Sequence, residues 1–294
     1  MSYKKVFLFT LIALVVGVLL VYLHTQTERW AAKHHPLLSE QPPMELPYKW
    51  VGNLAQSKLN EPSGITYHPQ RKTLFAVGDE GDLYEMRTDG QLIRSKHLKQ
   101  SDLEGITVNP ATGLLYAVVE GDDAVIEIHP DTFRITRRFE IKRKFEGREL
   151  LKKGGSGLEA IAFVPDASHP EGGTFWVGNQ SFNLKPGHEP SIICEVVLPI
   201  LSSHKKNAEG TIVRFFQMNV VDISGLCYDP LCDCLVVISD TTNLLIEMTR
   251  DGNILRRYLL PGDNQEGIVL DGLGFMYIAQ ESGEIIKIQD RRIR

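Results

Sequence analysis

Several things are scarce in this chain of 294 residues, and each scarcity removes a class of function. Beyond residue 23 no segment carries a convincing helical period, which leaves strands and turns as the building material. No block of Lys and Arg interleaves with aromatics, and the formal net charge is only −5. The electrostatic footprint of a nucleic-acid binder is therefore missing. Nine histidines are scattered, with no His-x-x-x-His pair, so a zinc hydrolase lacks its ligands. His24, His34 and His35 fall near the N-terminus, and His68, His129 and His169 stand beside prolines in turns. Gly154-Gly155-Ser156-Gly157 comes near a nucleophile elbow, but Leu158 stands where the second glycine is needed. Asp79-Glu80-Gly81-Asp82 is too short for an EF-hand loop, which spreads its ligands over about twelve residues.

Cysteine is sparse too. Cys232-Asp233-Cys234 is Cys-x-Cys and Cys227 lies five residues before Cys232, but a zinc site would also want a distant second pair or histidines, and only Cys194 remains. One local disulfide or none is the simpler expectation, and the sequence does not choose among the three pairings that four cysteines allow.

What is present begins at the N-terminus. Lys4 and Lys5 precede Val6 to Leu23, eighteen residues without a charged side chain. As a helix rising about 1.5 Å per residue this stretch spans roughly 27 Å, close to the hydrocarbon thickness of a bilayer. A cleavable leader would have a shorter apolar region and a small-x-small site, which Val21-Tyr22-Leu23-His24-Thr25 does not offer. We therefore expect residues 1–5 as a cytoplasmic stub and 6–23 as a single transmembrane signal anchor, with the bulk exported. A cleaved secretory signal is the alternative, and it too places the remainder outside the cytoplasm, where disulfides are allowed. Residues 24–47, with Pro36, Pro42, Pro43 and Pro47, read as a semi-extended tether. Residues 48–294 form the domain.

Within that domain one signature recurs. Asp102-Leu103-Glu104-Gly105-Ile106 has variants at Glu61–Ile65, Gly157–Ile161, Asp222–Leu226 and Asn264–Ile268. Each opens a unit of short apolar runs separated by turns: Gly64–Tyr67, Thr73–Val77, Leu83–Met86 and Leu92–Leu98 in the first. Runs of this length, rich in β-branched and aromatic residues and bounded by Gly, Pro, Asn and Asp, are strands. Gly64 and Gly105 lie 41 residues apart, and Gly225 and Gly267 lie 42 apart. A period near 40 residues with four strands predicts the blade of a β-propeller, although the Gly-His and Trp-Asp marks of WD40 blades are absent. The fold class is all-β, a propeller of five blades. Insertions around 143–156 and 181–210 leave room for a sixth as a lesser reading. The fifth unit supplies only three runs, and Tyr48-Lys49-Trp50-Val51-Gly52 is the candidate for its missing outer strand, closing the ring.

Equivalent positions of every blade meet at one mouth of a propeller. The residue before each Gly-Ile pair gives one ring: Ser63, Glu104, Glu159, Ser224 and Glu266. The residue ending each second strand gives another: Asp79, Glu120, Asn179, Asp240 and Gln280. Glu104, Glu159, Glu266, Asp79, Glu120 and Asp240 are the candidate metal ligands. Crowded carboxylates repel, and the repulsion is relieved by protonation or by a cation. An all-oxygen set favours a hard cation such as Ca²⁺. The plainer alternative is that each acid caps a turn or bonds a neighbouring N–H. Asn179-Gln180-Ser181 fits a glycosylation sequon, a weak signal.

The signatures at residues 61–67, 102–106 and 265–268, with the anchor and tether, resemble the SdiA-regulated (YjiK-like) family of Gram-negative bacteria. That resemblance implies a five-bladed propeller distantly similar to NHL-repeat proteins, with a calcium site that would fall among the ring acids, Glu104, Glu159 and Glu266 first. It implies no particular reaction. Ser63 and Ser224 interrupt the ring, so a symmetric cage of five carboxylates is not expected. The resulting expectation is a Ca²⁺-binding periplasmic propeller held at the cell inner membrane through residues 6–23. It would present a face to a small-molecule or protein ligand, without nucleic acid. The alternative is a Ca²⁺-dependent hydrolase similar to propeller phytases, lactonases or esterases.

Overall fold

The computed structural model describes residues 42–54, 59–100, 102–151, 157–181 and 191–292. The expected anchor, and the tether before Pro42, lie outside these. Among the described residues there is no helix, and hence none long and apolar enough to cross a membrane.

The strands assemble in groups of four, each group an antiparallel meander built from one stretch of sequence. The first is Pro62–His68, Thr73–Gly78, Asp82–Arg87 and Leu92–His97. The second is Leu103–Val108, Leu115–Val119, Ala124–His129 and Arg134–Ile141. The third is Leu158–Pro165, Gly173–Asn179, Ile192–Val197 and Asn207–Gln217. The fourth is Ile223–Asp229, Cys234–Ser239, Leu244–Thr249 and Ile254–Leu259. The last comprises Gln265–Leu270, Phe275–Gln280 and Ile285–Asp290, completed on its outer edge by Tyr48–Leu54. Tyr48 pairs with Asp290 and Leu54 with Ile285, so the two ends of the domain share one sheet. Between the second and third groups the outer strands pair in parallel over 138–141 and 207–210. The insertion after residue 143 adds a small hairpin, Lys144–Phe145 against Arg148–Glu149.

The first strand of each group lies innermost. These strands neighbour one another in chain order, and the last, Gln265–Leu270, returns to the first, Pro62–His68. Apolar cores fill the spaces between successive sheets. Phe75, Leu83 and Ile126 lie between the first and second. Tyr116, Phe163 and Phe175 follow, then Trp176, Val237 and Met248. Val236, Ile278 and Ile288 come next, and Leu74, Tyr84 and Tyr277 close the circuit. Packing starts ahead of Tyr48. Met44–Glu45 pairs in parallel with Tyr258 and Leu259, and Leu46 is buried in the fourth-to-fifth core.

Glycine sets the radius of the ring. A Cβ built on Gly105 would lie 2.7 Å from the backbone nitrogen of Ile161, and one on Gly267 would lie 2.9 Å from the Cα of Gly64. Inner strands approach this closely only where a side chain is missing. Below the mouth the channel narrows to a space of about 10 Å³, lined by these glycines and the isoleucines that follow them. Gly105→Ala should therefore cost about 1–3 kcal/mol, because the colliding atoms are backbone and cannot turn aside. A denaturant midpoint for that variant equal to the parent's would refute this.

Ion pairs between buried or nearly buried glutamates and partly exposed arginines stand at the rim. In four sheets a glutamate sits mid-way along the third strand (Glu85, Glu127, Glu195, Glu247) and meets an arginine from the fourth. The pairs are Arg94–Glu85 at 2.7 Å, Arg137–Glu127 at 3.7 Å, Arg214–Glu195 at 2.6 Å and Arg256–Glu247 at 2.9 Å. The arginines also reach the next sheet. Arg94 donates to the carbonyls of Pro130 and Asp131, Arg137 to those of Pro199, Ile200 and Ser203, and Arg214 to Asp251. In the last sheet Lys287 replaces the glutamate and donates to Thr88 O of the first, at 2.7 Å. Burial alone would raise the Glu85 carboxyl, but bonds from Arg71, Arg94 and Thr73 outweigh it and hold the group below its ordinary value.

Four cysteines resolve into one short disulfide, Cys232–Cys234, in the turn after Asp229, and two buried free thiols, Cys194 and Cys227.

Candidate functional site: an acidic mouth

The local fold explains why the acids converge. Every inner strand breaks register near its start: between Pro62 and Gly64, Leu103 and Ile106, Leu158 and Ala160, Ile223 and Gly225, and Gln265 and Gly267. These are β-bulges, which re-aim a side chain out of the ladder. The bulged positions are Ser63, Glu104, Glu159, Ser224 and Glu266, the first of the two rings. Two residues earlier the backbone is left-handed at Glu61, Asp102, Asp222 and Asn264, with φ from 38° to 55°. Asp and Asn tolerate that conformation better than most residues. The turn is locked by a repeated backbone bond. Asp79 N donates to Glu61 O, Glu120 N to Asp102 O, Gln180 N to Gly157 O, Asp240 N to Asp222 O and Glu281 N to Asn264 O.

That repeat corrects the second ring. In the third and fifth sheets the equivalent residues are Gln180 and Glu281, one position beyond the expected Asn179 and Gln280. Strand pairing agrees: Leu158 and Gln265 face Asn179 and Gln280, as Pro62 faces Gly78. Asn179 is buried and accepts from Ile192 N, so it is no glycosylation acceptor. Gln280 donates to Asp263 O at 2.6 Å.

Glu61, Ser63, Asp79, Glu104, Glu266 and Glu281 line a cavity of about 230 Å³ open to solvent, with no basic side chain among the described residues of its wall. Glu61 and Glu281 were not among the expected ligands. The signal for Glu281 was present but shifted by one residue, because the second strand of the fifth sheet ends on a polar residue, Gln280, one position beyond its apolar run. Burial pushes the Glu104 carboxyl well up, and the charges of Asp79, Glu120 and Glu266 add to the shift. Glu159 is also raised, first by burial and then by Glu104, Glu120 and Glu266. Asp79 rises through burial, with a bond to Glu104 opposing and Asp102, Glu120 and Glu80 reinforcing. Glu104 bonds with Asp79, and Glu159 with Glu120, as carboxyl–carboxylate pairs. Such pairs require a shared proton.

Five of the six candidate ligands, Glu104, Glu159, Glu266, Asp79 and Glu120, thus form one electrostatic group. Asp240 differs. It is buried, and its Oδ1 accepts from Gln265 N at 3.0 Å, tying the fourth sheet to the fifth. Ser224 makes a similar tie, donating to Gln265 O at 2.6 Å. Glu120 also accepts from Gly157 N at 3.1 Å. Among the described residues no three His, Cys, Asp or Glu side chains stand in an array able to hold a metal ion as they are oriented. The donor chemistry, carboxylates and a hydroxyl, is that of a hard-cation site.

Sheets radiating from a closed ring of inner strands, with acids bulged into one mouth, define a β-propeller. The chain belongs to the SdiA-regulated family, whose model matches residues 48–284. No curated protein matches it. Among solved structures it is similar to the glutaminyl cyclase of Myxococcus xanthus, with a TM-score of 0.57 and 10% identity over 86% of this chain and 100% of that one. It is also similar to the β-propeller domain of Cps50 (Swd1) from Myceliophteria thermophila, with a TM-score of 0.48 and 10% identity, covering 83% of this chain and 100% of that one. At such identities the likeness concerns the fold alone.

Proposed function

We propose that this is a five-bladed propeller that binds Ca²⁺ at its acidic mouth and serves as a ligand- or protein-binding module of the periplasm, held at the inner membrane by residues 6–23. The observation that carries the reading is the shared acidic cavity. Carboxyls from the first, second and fifth sheets face one another there, with Glu159 of the third close behind, and among the described residues no basic side chain offsets them in the wall. A divalent cation would replace the shared protons. In this reading Glu104, Glu266, Asp79 and Glu281 turn toward one another to hold it, with Glu61, Ser63, Glu120 and Glu159 around them. When bound, the ion would cross-link three sheets across the ring seam.

Mass action gives the test. At a hundred times its dissociation constant, Ca²⁺ adds about 2.7 kcal/mol to stability. For a domain of this size that raises Tm by roughly 5–10 °C. Glu104→Gln should fold normally and lose most of the rise. An unchanged Tm at millimolar Ca²⁺ would remove the cation from the reading.

A second reading, a Ca²⁺-dependent hydrolase, is favoured by one feature. Glu104 and Glu159 are carboxyls kept protonated beside a solvent-open cavity, as a general acid must be. Phosphomonoester, lactone and ester panels with Ca²⁺ or EGTA distinguish the two. Turnover that disappears in a folded Glu159→Gln variant would replace the scaffold reading.

A further inference from the structure

Large apolar side chains are exposed on every sheet, and one group of them, Met44, Tyr48, Trp50, Leu231 and Leu273, stands around the corner where the described chain begins. Leu273 is 73% exposed, Leu231 61%, Met44 49% and Trp50 47%. Backbone bonds and one ion pair link the segments that carry them, although these are distant in sequence. Tyr48 pairs with Asp290, and Asp290 N donates to Gly274 O, beside Leu273. Arg291 N donates to Pro47 O, and Arg292 reaches Asp229 at 3.6 Å, two residues before Leu231. Met44 pairs with Tyr258 at the outer edge of the fourth sheet. The outer strand exposes Tyr48, Lys49, Trp50 and Val51 together, as the outer strand of the first sheet does over most of Leu92–His97. Two exposed cations, Lys49 and Arg291, flank Tyr48, with the exposed Glu45 close by.

We propose that this corner rests on the surface of the bilayer. The inference rests on the reading of residues 6–23 as a membrane anchor. This corner is where the described chain begins, at Pro42, and so where the sequence that follows the anchor joins the domain. Its chemistry suits the interface. Tyr and Trp place a ring at headgroup depth with the polar atom in water. Leucine and methionine insert among the upper acyl chains, and Lys49 and Arg291 meet anionic headgroups. Docking here sets the propeller on edge, with the acidic mouth open to the aqueous phase.

The experiment uses the full chain with Trp30→Phe, reconstituted into phosphatidylethanolamine–phosphatidylglycerol vesicles with or without brominated acyl chains. Trp50 and Trp176 then remain, and Trp176 is buried and constant. Interfacial burial to about 5–10 Å should let bromine quench roughly half of the Trp50 emission. The quenching should fall in Tyr48→Ser/Leu273→Ser. It should also fall in Lys49→Glu/Arg291→Glu, but only where phosphatidylglycerol is present. Unquenched Trp50 in protein that stays with the vesicles overturns the docking face and leaves the anchor standing. Protein that separates from the vesicles altogether overturns both.

Discussion

Replacing Arg292 by alanine should cost about 3–5 kcal/mol. Its side chain is fully buried and forms ion pairs with Glu247 at 2.6 Å, Asp290 at 2.7 Å and Asp229 at 3.6 Å. Burial opposes its charge, but the three carboxylates outweigh that and raise its affinity for the proton. Removing it strands buried negative charge at the join of the fourth and fifth sheets, where Arg256 reaches only one oxygen of Glu247. Each kcal/mol lowers Tm by about 2–4 °C in a domain of this size, so a fall on the order of 10 °C is expected in a thermal melt. Arg292→Met, which keeps the volume and loses the charge, should fall nearly as far. A variant within a degree or two of the parent would mean that the cluster contributes nothing net. The residue stands near the end of the chain, where truncation usually looks harmless. Its burial says otherwise.

The second large effect concerns pH. Without Ca²⁺ the protein should lose stability as pH rises from 5 to 7, the reverse of the usual acid-side behaviour. Glu104 and Glu159 are raised above their ordinary value of 4.5 by burial and mutual repulsion. Over that range the folded chain keeps protons that the unfolded chain has released. Stability then declines with pH by on the order of 1 kcal/mol per unit for a group that keeps its proton in the folded chain. The contribution is fully present below 4.5 and is lost as pH climbs toward the folded-state values. Glu85 acts in the opposite direction but only on the acid side, since its folded value is lowered. His68, whose value burial lowers, opposes the slope within this range, and Asp123, raised by burial, adds to it. The share of the mouth is therefore the difference between the parent and variants that change only the mouth. Tm against pH in EGTA reads the slope directly. Glu104→Gln and Glu159→Gln should each flatten it, and saturating Ca²⁺ should flatten it without any substitution. A parent Tm that climbs between pH 5 and 7 would contradict the raised values.

The acid ring was visible in the sequence because a repeat makes it so. Glu104, Glu159 and Glu266 stand before Gly or Ala and then Ile, and a period near 40 residues brings equivalent positions to one mouth. The second ring was less visible. Its members follow strands of unequal length, and counting from the apolar run slips by one at Asn179 and Gln280. Only strand pairing restores the alignment. Glu85, Glu127, Glu195 and Glu247 were in plain view as single charges inside apolar runs, as in Leu-Tyr-Glu-Met and Leu-Ile-Glu-Met. Their arginine partners are separated from them by turns of different length, so no fixed spacing marks the pairs.

The sequence by itself determined the all-β class, the repeating unit and which residue of each unit meets the axis. Hydrophobic alternation, turn residues and a repeated glycine are local signals, and they act through the backbone within a few positions. Tertiary structure decided which acids share a cavity, that Asp240 turns to the seam between sheets, and that Arg292 joins three carboxylates from separate strands. It also decided that apolar residues from both ends of the domain gather at one corner. Those outcomes depend on distances across the ring, and residues far apart in the chain become neighbours only when the ring closes.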